Sequence, residues 1–249
     1  MTRREPGPKA RDRSRAIQAA REREAAERRE RRRRRLLVVA VAIVVVVLAV
    51  AIDVKAHQPN GRERALLAAA ATDAKSARCA GVTVVPPYPG GDDRTHVGSG
   101  SPFSVLPALS SYPSTPPASG PHDPVPLDAG VYATPPSLGA AIHSLEHSAV
   151  IVWYDPAAAP APELTQIQRF FAEGGERNHV IVAPYSYPEE GAAGALPSGR
   201  TMALVAWHHL QLCDRPSLAV AYAFVHAYRF DLYQFRAYRG DAPEKYLPI

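Results

Sequence analysis

The run from Leu36 to Ile52, LLVVAVAIVVVVLAVAI, is apolar at every position and has no amphipathic period. A helix that is hydrophobic all round suits lipid better than a half-wet surface. At about 1.5 Å per residue its seventeen residues span about 25 Å, near the short limit for a bilayer core. The pattern predicts a single transmembrane helix over 36–52. A signal peptide is the rival reading, because it too places positive charge before an apolar run. Against it stand the long charged region in front, an apolar run longer than the usual signal core, and the absence of a small-x-small cleavage site in DVKAHQPNGRER.

After the span the patterning changes. Residues 53–62 read as a short stalk, and RERALLAAAATDAKSAR as a short helix, so 53–78 forms a connecting segment. From Val82 to Pro136 the chain is crowded with Pro, Gly and Ser but interspersed with Val, Leu, Phe and Tyr. We read it as ordered loops with short strands. Ser137 is a candidate N-cap for a helix ending near His147. AVIVWY, Ala149–Tyr154, is a buried strand. APELTQIQRFFAEGG repeats apolar residues with helical spacing until Gly174–Gly175 stops it. HVIVAPY is a second strand, Thr201–Cys213 a third, and Ser217–Phe235 a closing helix. The order predicts one α+β domain over 79–249, an α/β sandwich. A thioredoxin-like arrangement fits this order, without the CxxC its redox chemistry needs. No internal repeat is visible.

Charge divides the chain the same way. Residues 1–35 hold 15 Arg or Lys against 6 Asp or Glu, a net of +9, which leaves −4 of the total +5 to residues 36–249. Such a solvated tail is expected to be a disordered or frayed helical arm. Arg31–Arg35 abut the apolar run, so the positive-inside rule puts 1–35 in the cytoplasm and the rest outside. Anionic membrane lipid is the expected partner of the tail; nucleic acid is not expected, since topology already accounts for the arginines. Arginine outnumbers lysine 25 to 4, a compositional hint of a GC-rich bacterial genome. Both cysteines, Cys79 and Cys213, then lie on the oxidising side and are expected to form one disulfide.

The candidate chemistry sits in IHSLEHS. On a helix advancing about 100° per residue, His143, Glu146 and His147 share one face, opposite Leu138, Ala141, Ile142 and Leu145. Histidines four apart can reach one metal ion. The stretch also fits HxxEH, in which the glutamate serves a zinc hydrolase as general base. That reading lacks a third ligand, for which Glu163 or Glu173 would be arbitrary choices, and a substrate chamber. The remaining alternative is a polar helix face turned to solvent or bonded to neighbouring loops.

PPASGPHDPVPLDAGVY followed by IHSLEHSAVIVWYDP resembles the bacterial family catalogued as domain of unknown function 3105. The resemblance rests on Pro116–His122, Gly130 and Tyr132, His143–His147, Ala206–Trp207 and Ala242–Glu244, with His96–Val97 fitting the opening of the pattern. It covers most of residues 79–244. Asp123 stands where tyrosine is usual, and Ser148 where glycine usually ends the helix; neither departure removes a histidine. The resemblance implies a domain and no activity. It adds His122, aimed by the Gly120–Pro121 turn, and His96 as further ligands. The expected metal set is His122, His143 and His147, with Glu146 as ligand or supporting partner and His96 as a fourth histidine. Zinc or copper(II) suits these donors; copper(I) does not, since Met202 is the only thioether beyond the span.

His179, His208 and His209 are expected to cap or face solvent, so His208→Ala should do little to metal affinity; His226 is expected to be packed. The resulting expectation is a single-pass membrane protein of unknown biochemical function, more in keeping with binding than with catalysis, whose extracytoplasmic domain holds a transition metal. A non-catalytic module that contacts an envelope protein, with structural histidines, is the second expectation, and the zinc hydrolase the third.

Overall fold

The computed structural model describes residues 8–158, 161–173 and 178–249 and divides the chain into two compact units, Met1–Gln58 and Pro59–Ile249. In the first, α1 runs unbroken over Pro8–Ala56. Its apolar side chains stay exposed on every side, from Leu36 at 60% to Ile52 at 69%. The basic arm, expected to be disordered or a frayed helix, continues this helix from Pro8 onward. Glu24–Arg28 and Glu30–Arg34 form i,i+4 ion pairs with the acid on the N-terminal side, the favourable order. Only residues 57–60 separate α1 from the next helix.

The second unit opens with α2 (Gly61–Ser76), started by a reciprocal capping box between Asn60 and Glu63. Two more helices cover the sheet on α2's side: α4 (Pro162–Ala172) and α5 (Leu218–Tyr228). The strands are β1 (Thr83–Val84), β2 (Gly130–Val131), β3 (Val150–Tyr154), β4 (Val180–Pro184), β5 (Met202–Ala206) and β6 (His209–Cys213), in the spatial order β1-β6-β5-β3-β4-β2. β3 and β4 are parallel and joined through α4, whereas β5 lies antiparallel to both β3 and β6. The remaining helix, α3 (Leu138–Glu146), precedes β3.

Period-2 alternation decides which face each strand residue serves. Val150, Val152, Leu204 and Met202 point toward α4 and α5, where Phe170, Phe171 and Phe224 complete a core. Ile151, Trp153, Ala203 and Val205 point the other way, onto Leu138, Ile142 and Leu145 of α3 and the proline-rich loops. The domain is therefore α+β, a mixed six-stranded sheet with helices on both faces. Cys79 and Cys213 are bridged across 134 positions of sequence. In the chain-entropy account a closure of that length is worth about 4–5 kcal/mol.

Two expected elements differ. Thr201–Cys213 is a hairpin, β5 and β6, instead of one strand. Its turn holds His208 at φ 57°, and no Gly, Asn or Pro marks it in the sequence. The closing helix starts as expected, with the Ser217 hydroxyl accepting from the Val220 N–H, but ends at Tyr228. The Gly174–Gly175 stop expected for α4 lies outside the described residues.

Candidate metal centre

α3 is amphipathic only in composition. His143, Glu146 and His147 are 4%, 1% and 7% exposed, so the face expected to be polar is covered and the solvent-facing alternative does not hold. Three loop segments cover it. The first runs from His122 to Asp123. Ser137 caps α3 by accepting from the Ala140 N–H and donates its hydroxyl to Asp123 at 2.6 Å. A Cβ on Gly139 would collide with that same carboxylate, so glycine is what lets the loop close on the helix. The Asp123 carbonyl then accepts from His143 Nδ1 at 2.7 Å.

The second segment is Arg94–Val97. It pairs with the SGPH turn through His122 N–H to Thr95 O (3.0 Å) and Val97 N–H to His122 O (2.8 Å). Gly120, at φ 122°, is packed so closely on Tyr88 and Tyr112 that a side chain would not fit. The turn aims His122 inward at 0% exposure. The third segment is the C-terminus. Glu244 N–H donates to Glu146 O at 3.0 Å, and Pro248 O accepts from His147 Nδ1 at 2.8 Å.

These carbonyls set the imidazole chemistry. His122 Nδ1 lies 2.8 Å from Gly120 O, so His122, His143 and His147 each spend Nδ1–H on a carbonyl, which can only accept. Each Nε2 is then left to face the centre. His143 Nε2 and His147 Nε2 are 3.1 Å apart. His122 Nε2 is 3.0 Å from Glu146 Oε2 but too poorly aligned for a hydrogen bond, so it is buried without one. The rings of His96 and His143 stack with centroids 4.8 Å apart.

Two donor sets result, each with its ligand atoms within 4.8 Å of one another: His96, His122, His143 and Glu146; and His143, His147 and Glu244. All five residues singled out in the sequence converge here. His147, however, joins His143 and Glu244 and not the set that contains His122. Arg94 binds Glu146 through Nε and Glu244 through Nη2 at 2.7 Å, and Glu244 Oε2 is 3.3 Å from His147 Nε2. Burial, helped by the neighbouring imidazoles and opposed by the Asp123 carbonyl, lowers the pKa of His143, and the lowered pKa favours the neutral, ligating form. Burial works against ionising Glu146, yet its contacts with His122 and Arg94 outweigh this and hold its carboxyl below the usual range.

Arg94 and Glu244 were not singled out as site residues. The only sign of Glu244 was its place in the terminal APE, and Arg94 lies two residues before His96. His208 is also placed differently from the expected solvent-facing position. Its ring donates to Asp241 at 2.8 Å and to Asp93 at 2.7 Å. Burial would lower its pKa, but the two carboxylates raise it to about 9.

The ending of α3 accounts for one departure noted in the sequence. Ser148 adopts φ 68°, the left-handed conformation that glycine takes at little cost, and its hydroxyl is buried without a partner.

Comparison with known proteins matches the family described as Protein of unknown function (DUF3105) to residues 108–236. No curated protein and no solved structure matches. His122, His143, Glu146 and His147 fall inside the matched segment; Arg94, His96 and Glu244 fall outside it.

Proposed function

The chain belongs to the DUF3105 family of proteins of unknown function, and from that premise we propose that its folded unit is a transition-metal-binding module held outside the cell membrane by α1. One observation carries the metal reading. Imidazoles whose Nδ1–H groups are already spent on carbonyls turn their Nε2 atoms into two buried donor sets that overlap at His143, each with a carboxylate. Two bare lone pairs repel at 3.1 Å, so a cation or an added proton must lie between His143 and His147. Zinc–nitrogen bonds of about 2.0–2.1 Å in tetrahedral geometry place donors about 3.3 Å apart, close to the 3.1 Å between His143 and His147 Nε2 and the 3.3 Å between His147 Nε2 and Glu244 Oε2. Two or three nitrogens with one carboxylate, as in these sets, suit zinc or copper(II).

The second reading, histidines that act only as hydrogen-bonding props, is favoured by Arg94, which already pairs with both Glu146 and Glu244. That engagement also argues against hydrolysis through HxxEH, because a carboxylate held by a guanidinium is a poor general base. For the anchor, support comes from a helix long and apolar enough to cross a membrane, next to Arg31–Arg35. The Cys79–Cys213 bridge suits an oxidising compartment. The strand order β4-β3-β5-β6, with a parallel βαβ followed by an antiparallel ββα, supports a thioredoxin-like arrangement without its redox cysteines.

The test is titration of the full chain, purified in detergent and stripped with chelator, with zinc and with copper(II). Saturable binding of one ion per chain, weakened at least about 100-fold in His143→Ala, is expected. Wild-type protein that binds neither ion, or binding that His143→Ala leaves intact, would falsify the proposal in favour of structural histidines.

A further inference from the structure

His143 belongs to both donor sets, but Asp123 O already occupies its Nδ1, and the single free Nε2 can ligate one ion at a time. The two sets are therefore alternative positions for one ion and not two filled sites. They differ in what supplies them. The first comes from α3, the SGPH turn and His96; the second depends on Glu244, which the C-terminal segment brings in. That segment is held mainly by polar contacts: Glu244 to Arg94, Pro248 O to His147 and Leu247 O to His179 Nε2 at 3.0 Å. Beyond Ala242, Ile249 packs partly buried against the core, while Tyr246 and Leu247 stay 74% and 45% exposed. A segment with few buried apolar contacts opens locally at low free-energy cost. Docked, it covers His147, which is only 7% exposed.

We propose that residues 241–249 form a gate over the metal centre, with Glu244 as the donor that meets the ion on its way in and out. This rests on the metal-binding reading above. With the gate docked, the ion passes between the inner set and His143–His147–Glu244 without losing His143 as a ligand. With the gate lifted, Glu244 leaves and His147 meets water, so the ion exchanges. His179 holds the gate through Leu247 and belongs to neither donor set, which makes it the probe of gating apart from ligation.

The experiment follows transfer of zinc from loaded full-length protein to a chromogenic chelator, and reloading with zinc alone, by stopped flow. His179→Ala keeps every donor and its supporting carbonyl, and a chain ending at Glu244 keeps every donor but loses the Pro248 carbonyl on His147 Nδ1. In both, release and loading should accelerate together by about tenfold, with the dissociation constant changed less than either rate. Glu244→Gln should accelerate release while loading changes little. Thermal melts verify that each variant is folded. Exchange at the wild-type rate in both His179→Ala and the shortened chain overturns the gate while leaving the metal centre standing. A wild-type chain that takes up no zinc or copper(II) defeats the metal reading itself.

Discussion

Replacing His208 by asparagine is expected to destabilise the Pro59–Ile249 unit by about 2 kcal/mol at pH 7 and by much less above pH 9. Asparagine is chosen because position 208 has φ 57°, which it tolerates well, so the change removes the ring and its charge without adding backbone strain. The pKa of His208 rises from 6.5 to about 9 in the folded protein. At about 1.4 kcal/mol per unit that shift corresponds to about 3 kcal/mol. One of the two carboxylates, Asp241, is 50% exposed while Asp93 is 14% exposed, so solvent screening of the Asp241 arm brings the figure to about 2 kcal/mol. A histidine whose folded pKa is raised contributes fully below its unfolded value. That contribution is lost as pH rises through the folded value, which places the window between 6.5 and about 9. Thermal unfolding followed by the fluorescence of buried Trp153 and Trp207 measures it. For a unit of this size about 2 kcal/mol corresponds to a melting-temperature gap of about 4–8 °C. A gap of the same size at pH 6.5 and pH 10, or one below about 0.5 kcal/mol throughout, would refute the ion-pair reasoning.

Two further predictions concern other parts of the chain. Ser148→Gly should stabilise the unit by about 1 kcal/mol, because it relieves left-handed strain at φ 68° and removes a buried hydroxyl without a partner, less the added backbone entropy of glycine; an unchanged or lower urea midpoint contradicts this. A reporter enzyme that folds only in an oxidising compartment, fused after Ile249, should be active in cells, and activity confined to a cytoplasmic reporter reverses the proposed orientation.

The parts of this protein that were legible in sequence are those written in neighbouring residues. An unbroken apolar run makes α1 long and apolar enough to cross a membrane wherever it lies. Ser137 and the spacing of Leu138, Ile142 and Leu145 specify α3 without reference to the rest of the chain. The runs at β3 and β4 are apolar throughout because both faces of those strands are buried. The only two cysteines could pair in one way. The histidines of α3 declared themselves as neighbours because a helix puts i and i+4 side by side.

Tertiary structure alone decided what those histidines face. A helical wheel marks the side of α3 that carries them, but the covering loops come from Arg94, Asp123 and Glu244, each brought in by the course of the backbone and not by any local period. The carbonyls of Gly120, Asp123 and Pro248 choose which imidazole nitrogen is free, and the five expected ligands fall into two overlapping sets that share His143. The β5–β6 turn was hidden for a related reason. His208 takes a left-handed conformation that no turn-forming residue announces, while Asp93 and Asp241, remote in sequence, bind its ring from opposite ends of the unit's chain. Periodicity and caps are short-range properties, whereas the partner of a buried polar group is set by which distant segments pack against it.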